Sequence, residues 1–370
     1  MTEKKKNALL WGGGLLLVLG GVIYFSITPP PNSDIKVGVV TPLTGESLEY
    51  GLAMQRAYDL AAGEVNLSGG NQIVLVYEDG KCDSAEEAAA AQRIIDAGVD
   101  IILGGTCSGE IDAVKDVASQ AGVLFISSTN DQSTTESGDL FFSLQPSENF
   151  EAMTAAGHIL EMGYERVAII TEDTESAKNI SSTFRGAFDG EVVFDETFSS
   201  DETTFWTLVS NLRNSNSDAV YLNIESPEAV ELIIQQISNY AVNAEFYGSN
   251  GIREQFDVTD KAGLFNGLIF TELKLSSEGK AAEMLLAYDE EYREEPGKLS
   301  LTAAAYDSVY LIAEAVKNGA KSAGGVAGYL DGSVVDWQGA LGTINFDDNG
   351  SMEVEMSLMK AVGGELVAVE

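Results

Sequence analysis

Few residues in this chain could carry catalytic chemistry, and their placement narrows what that chemistry is. Cys82 and Cys107 are the two cysteines of 370 residues, and His158 is the one histidine. Each cysteine falls just past an apolar run of strand character and just before a helical pattern, in "YEDGKCDSAEE" and "GGTCSGE". Thiols in such loops are nucleophiles, metal ligands or a staple. One histidine and two cysteines make no convincing zinc cluster. No G-x-S-x-G elbow accompanies His158 for a Ser-His-Asp arrangement, and neither a C-x-x-C pair nor a histidine partner activates a thiol. His158 lies in "TAAGHILEMG", inside a helical pattern, where a lone histidine is more often structural than catalytic. Carboxylates are abundant: 58 Asp and Glu against 21 Lys and Arg, a net charge of −37. No paired-acid motif stands out from that scatter, so an enzyme working through carboxylates is the least favoured reading. The charge repels nucleic-acid phosphates. Its even spread reads as a solvated surface rather than a cation site.

The elements around these residues alternate. "IKVGVV" (35–40) is a short apolar run, as expected of a strand buried on both faces. Ala53, Ala57, Leu60, Ala61 and Val65 then recur at helical spacing. Strands follow at 73–79, 100–105 and 123–128, with helices opening at Ser84, where Glu87 completes a capping box, and at Ser108. This βαβαβαβ series predicts a doubly wound parallel sheet. A second series begins at 166–173, with strands at 192–198, 218–224 and 244–250 and helices near 176–188, 203–214 and 227–239. "FFSLQPSENF" (141–150) reads as the first crossing between two lobes. Helices near 278–292 and 301–318 follow. The last segment, from Gly339 on, reads as three strands with turns at Asp348-Asn349-Gly350 and Gly363-Gly364. Length and a hydrophobic content of 45% suit two such α/β units.

At the start, Lys4, Lys5 and Lys6 precede an uncharged run from Ala8 to Ile27. As a helix that run spans roughly 30 Å, enough for a bilayer. The lysines stay on the cytoplasmic side, and Trp11 and Tyr24 sit near the two interfaces. Pro29, Pro30 and Pro31 end the helix and make a stiff spacer. The run is longer than a signal-peptide core and lacks an A-x-A-like site, so an uncleaved single-pass anchor in the cell membrane is expected, with residues after about 31 extracytoplasmic. Outside the cytoplasm an even pair of cysteines reads as a disulfide. Closing the Cys82–Cys107 loop is worth ~3–4 kcal/mol in the chain-entropy model.

"IKVGVVTPLTGESLEYG", "YEDGKCDSAEEAAAAQRII", "GGTCSGE" with "VLFISSTND", "FFSLQPSE", "AAAYDSVYLIAEAVKNGA" and "GALGTINFDDNG" occur in an order and spacing that resemble the type I periplasmic binding proteins, specifically the branched-chain amino-acid (Leu/Ile/Val) binding family of ABC transporters. The resemblance runs from about Asp34 to the C-terminus. It implies two doubly wound α/β lobes joined by a three-crossover hinge. Lobe I would comprise 34–144 plus about 274–336, and lobe II 145–273 plus about 337–370, after the 1–33 tail, anchor and spacer. It implies a small-molecule ligand, an ABC permease as partner, no cofactor and no enzymatic step. Cys82 and Cys107 coincide with the disulfide typical of the family.

The family's ligand residues carry over one at a time. Tyr50 matches an aromatic covering the ligand, and Ser108 a serine that binds its carboxylate, at a helix N-terminus suited to an anion. Thr129, Asn130 and Asp131 match a loop that binds the amino and carboxylate ends. Ser176 stands where the family usually has an aromatic, Glu225 where it has a tyrosine, and Asn250 where amino-acid binders often carry an acid. Those three departures imply a more polar pocket than leucine needs, with Asp131 or Glu225 left to meet an ammonium. A ligand sensor of the same fold, signalling to a partner protein, is the alternative. A self-contained receptor is not expected, because Met1–Asn7 would hold no signalling domain.

Overall fold

The computed structural model describes residues 34–69, 71–107, 111–129, 140–146, 148–249, 252, 262–273, 278–353 and 356–369. The expected membrane anchor, residues 8–27, lies outside them. Among the described residues no helix is long and apolar enough to cross a membrane.

The first part of the chain runs β1 (Ile35–Thr41), α1 (Leu48–Leu67), β2 (Ile73–Asp79), α2 (Ser84–Asp96), β3 (Ile101–Gly104), α3 (Ile111–Ala121), β4 (Leu124–Ser127) and β5 (Phe141–Ser143). The five strands form one parallel sheet in the order β2-β1-β3-β4-β5. Its strands are apolar without alternation because both faces are covered. Val37, Val39, Ile101, Leu103, Leu124 and Ile126 enter one core with α1. Their neighbours Val40, Ile102 and Phe125 enter another with α2 and α3. Successive side chains point to opposite faces, so one run of sequence fills two cores.

The second part runs α4 (Glu148–Glu161), β6 (Arg166–Glu172), α5 (Glu175–Ala187), β7 (Glu191–Phe198), α6 (Trp206–Asn214), β8 (Ala219–Asn223), α7 (Pro227–Asn239), β9 (Glu245–Gly248), the short α8 (Ala262–Phe265) and β10 (Leu268–Leu273). The same division recurs: Ala168, Ile170, Val220 and Leu222 face one core, while Val167, Ile169, Ala219 and Tyr221 face the other with α4. His158 on α4 bonds Tyr247 through Nδ1 at 3.0 Å and meets that ring edge-on, which is a structural role. Burial pushes its pKa down.

The chain then returns through α9 (Gly279–Tyr292), α10 (Leu299–Lys317), α11 (Ala323–Ser333), β11 (Trp337–Gly339), β12 (Gly342–Phe346) and β13 (Met352–Glu353), and ends in β14 (Met356–Val362) and β15 (Glu365–Ala368). The second sheet has seven strands, β15-β14-β10-β9-β8-β6-β7, parallel except that β14 runs antiparallel to both its neighbours, β10 and β15. Three helices and the hairpin of the returning segment join the first core: Met284, Tyr306, Leu330, Ala340, Leu341, Ile344 and Met352 pack there with Val37 and Leu103. The sequence reading placed the last crossing near residue 337. Ala340, Leu341, Ile344 and Met352, beyond that point, pack in the first core.

Several local expectations shift as well. Asp83, not Ser84, caps α2, accepting from the N–H groups of Ala85 and Glu86 at 3.1 Å. Among the described residues the segment after Gly339 holds four strands, β12 to β15, rather than three, and 141–150 contributes a strand of its own, β5, to the first sheet. The end of β5 and the turn before β13 are tied together: Ser143 N–H donates to Gly350 O at 2.8 Å, and Ser143 bridges Ser351. Gly350 has φ +75°, and a Cβ there would stand 2.3 Å from Phe141 O, so the turn needs glycine on both counts.

Asp307 on α10 is completely buried. Its carboxylate accepts from Ala340 and Leu341 N–H, each at 2.8 Å, and so fixes the β11–β12 turn to the helix. Burial pushes its pKa up to about 7, against the pull of those two N–H groups and of Lys280.

Candidate functional site

In open α/β sheets, ligands bind beyond the carboxyl ends of the strands, and each sheet here has a polar rim at that end. On the first sheet the order β1-β3-β4 sets three strand ends side by side; Tyr50 lies in the first turn of the helix after β1, and Cys107 and Thr129 on the loops after β3 and β4. Thr41 and Thr106 share a hydrogen bond of 2.9 Å across the ends of β1 and β3. Tyr58 of α1 meets Ser128 at 3.2 Å, and burial keeps its phenol protonated far above the ordinary range.

Thr129 is held from every side. Its hydroxyl donates to Gly105 O at 2.6 Å. Its carbonyl accepts from Ser127 Oγ at 2.6 Å and Ser143 Oγ at 3.1 Å. Gly105 makes this approach possible, with φ +70° and a would-be Cβ only 2.0 Å from Ser127 Oγ. Because its proton is committed, the Thr129 hydroxyl offers a visitor only lone pairs. A group resting there must be a donor.

Cys82 and Cys107 form a disulfide with Cα atoms 5.7 Å apart, inside the usual range. They lie past β2 and β3, the two strands that flank β1, so the bridge joins loops on either side of the strand that leads to Tyr50. Lys81 and Cys82 both have positive φ, which turns the chain sharply after β2.

On the second sheet, Ser176 lies in the first turn of α5 and Glu225 just past β8, on neighbouring strands. Both are partly buried. Glu172, at the end of β6, ties these loops. Its buried carboxylate accepts from Glu225 N–H at 2.8 Å, from Ser226 N–H at 2.7 Å and from the Ser226 hydroxyl. Burial would raise its pKa, but the bonds from Ser226, Glu225 and Ser200 outweigh that and leave it below the ordinary carboxylate value. Glu172 thus fills the anion position at the N-terminus of α7 with an internal carboxylate. Asn223 adds a second tie, donating to Ala177 O at 2.6 Å and Ser181 Oγ at 3.1 Å.

The structure therefore gathers Tyr50 and Thr129 on one rim, and Ser176 and Glu225 on the other. Ser108, Asn130, Asp131 and Asn250 fall outside the described residues. Sequence reasoning missed Glu172, Asn223 and Lys298, which lies against Tyr50. The signal at Lys298 was a lone base after "EEPG", opening a helix. A cavity of about 580 Å³ lies at the opposite, amino ends of β1 and β2, beside Ile35, Ile73 and Tyr310. Among the described residues no cluster of His, Cys, Asp and Glu could hold a metal ion.

The sequence profile of the family described as "Periplasmic binding protein" matches residues 34–365. The chain belongs to that family. Its relatives include the Leu/Ile/Val/Thr-binding protein of Salmonella typhimurium, 26% identical over 335 residues, covering 86% of this chain and 89% of the relative. The Leu/Ile/Val-binding protein BraC3 of Rhizobium johnstonii is 27% identical over 365 residues, covering 93% and 96%. Among solved structures, the branched-chain amino-acid transporter substrate-binding protein LivJ of Streptococcus pneumoniae, bound to isoleucine, is 27% identical with a TM-score of 0.67, covering 91% and 99%. A putative branched-chain amino-acid ABC transporter protein from Rhodospirillum rubrum shares the fold at a TM-score of 0.77 and 20% identity, covering 91% and 100%. This periplasmic binding protein is a binder rather than an enzyme, like the substrate-binding relatives it resembles along nearly its whole length.

Proposed function

We propose that the chain is a membrane-anchored, extracytoplasmic solute-binding protein. It captures a small polar ligand, an amino acid or amide-like molecule, between two lobes and delivers it to an ABC permease. The observation that carries this reading is the match over 34–365 to a family whose relatives are named for binding leucine, isoleucine, valine and threonine. The core assignments support lobes of 34–144 plus 274–353 and 145–273 plus 354–370. Tyr50, Ser108, Thr129, Asn130 and Asp131 serve the ligand from the first lobe, and Ser176, Glu225 and Asn250 from the second. Docking is on the first lobe, and closure brings the second over it. The acceptor-only hydroxyl of Thr129 suits the ligand's ammonium. The polar residues at 176, 225 and 250 suit a side chain unlike leucine's.

Thermal denaturation of the full-length chain with amino acids, small amides, short peptides and ureas tests the reading. A specific ligand at 100 times its Kd adds ~2.7 kcal/mol, and a screen in which nothing shifts the transition counts against it. For the ligand found, Asp131→Asn or Glu225→Gln costs about 2–5 kcal/mol of binding if that carboxylate is the buried partner of an ammonium. If neither changes affinity, the ligand is not a cationic amine, and the amino-acid class falls while the binding role stands.

The anchor has its own test. Intact-mass measurement on the membrane fraction should find residues 1–33 still attached, because the apolar run is long and no cleavage signal follows it. A mature N-terminus near Thr28 would sink the anchor.

A further inference from the structure

Lys298 precedes α10 as its N-cap residue, and its side chain makes no capping bond. It is a poor choice for that place. A lysine has no acceptor to offer the free N–H groups of the first turn, and a cation at a helix N-terminus opposes the macrodipole. No acidic residue in the first turn of α10 offsets it. Where a residue breaks local rules in this way, its reason lies in a tertiary contact or a function.

The tertiary contact is with Tyr50. The ammonium donates to Tyr50 Oη at 3.1 Å and lies 4.2 Å from the ring centroid, toward the hydroxyl end of the face. Glu49 stands 3.9 Å away, close enough to feel the charge and too far for a hydrogen bond. An ammonium has three N–H donors, so one bond to Tyr50 leaves it capacity for another acceptor. The side chain is 37% exposed, so that acceptor can come from solution. Nearby, Gln145 of the first crossing donates to Ser300 Oγ at 2.7 Å, which pins the start of α10 to the crossing segment. Lys298 is thereby held at the rim where Tyr50 begins α1.

We infer that Lys298 sets the charge preference of the cleft, and that the ligand carries an anionic side group, as a dicarboxylic amino acid does. This rests on the reading of the cleft given above, and names the substrate class within it. A chain of net charge −37 repels anions at long range. A fixed cation beside the aromatic that covers the ligand reverses that locally. It also penalises a cationic side group at the same place, which is how a site excludes as well as selects. On the second rim Ser176 provides no apolar wall, and Glu225, which would repel an anionic side group, is left to the ligand's ammonium.

The test is titration calorimetry on the full-length chain with L-glutamate, L-aspartate and their isosteric amides L-glutamine and L-asparagine. Wild type, Lys298→Met and Lys298→Arg are compared. Met keeps the apolar stem, and Arg keeps the charge. Wild type should bind an acid at least about tenfold tighter than its amide. Met should abolish that preference while changing the amide's affinity by less than about threefold, and Arg should retain it. The preference should weaken as salt is added. Unchanged ligand-free melting of both variants checks that the fold is intact. If Met weakens acid and amide alike, or if wild type prefers the amide, the inference is overturned and the binding-protein reading stands. If wild type binds nothing in this panel or in the wider screen, both fall.

Discussion

Replacing Cys82 and Cys107 together by serine should cost ~3–4 kcal/mol of stability, the chain-entropy value for a loop of this size. The bridge is a tether between loops beyond β2 and β3, and its Cα separation of 5.7 Å needs no backbone shift. The loss should appear in the transition of the first lobe, whose core contains β1, α1, α10 and α11. Denaturant titration of the full-length chain, oxidised and after thiol reduction, measures it. A loss below about 1 kcal/mol would mean that the positive-φ turn at Lys81 and Cys82 and the bonds of Asp79 to Leu43 and Thr44 hold the loop unaided. Free thiols in protein prepared under oxidising conditions would remove the tether altogether.

Asp307→Ala should destabilise by about 3–5 kcal/mol, because it strands two buried N–H groups, those of Ala340 and Leu341, and opens a small void. Asp307→Asn isolates the charge. The folded carboxyl holds its proton up to about pH 7, whereas the ordinary value is 3.8. A raised pKa means that the proton is bound more tightly in the folded state. The stability it contributes is fully present below about pH 4 and is lost as pH rises through 7. Asparagine has no such dependence, so its stability relative to wild type should improve between pH 4 and 8. Chemical denaturation at both ends of that window decides. If asparagine instead falls further behind with rising pH, the two N–H bonds outweigh burial.

What the sequence disclosed depended on how far away each residue's partner lies. The run at 35–40 was legible because a strand buried on both faces is written in consecutive residues. The helices were legible from their spacing. The start of α2 was ambiguous by one residue, since Asp83 and Ser84 are both good caps and only the backbone angles choose between them. The hairpin β11–β12 looked like part of the second lobe because its attachment is made by Asp307, more than thirty positions earlier. Tyr50 and Thr129 could be placed by motif. Glu172 could not, because it is defined by N–H groups more than fifty positions away. Lys298 meets Tyr50 across a sequence separation of 248. No local pattern records such pairs.

Ser143 and Gly350 bear on how the edge of the first sheet is sealed. Ser143 closes β5, the three-residue last strand of that sheet. Its N–H bond to Gly350 and its bridge to Ser351 join that edge to the turn before β13. A stretch of chain from the far end of the sequence thus guards a strand too short to hold itself. Fraying of β5 would break the bond, so strand and turn open together or not at all.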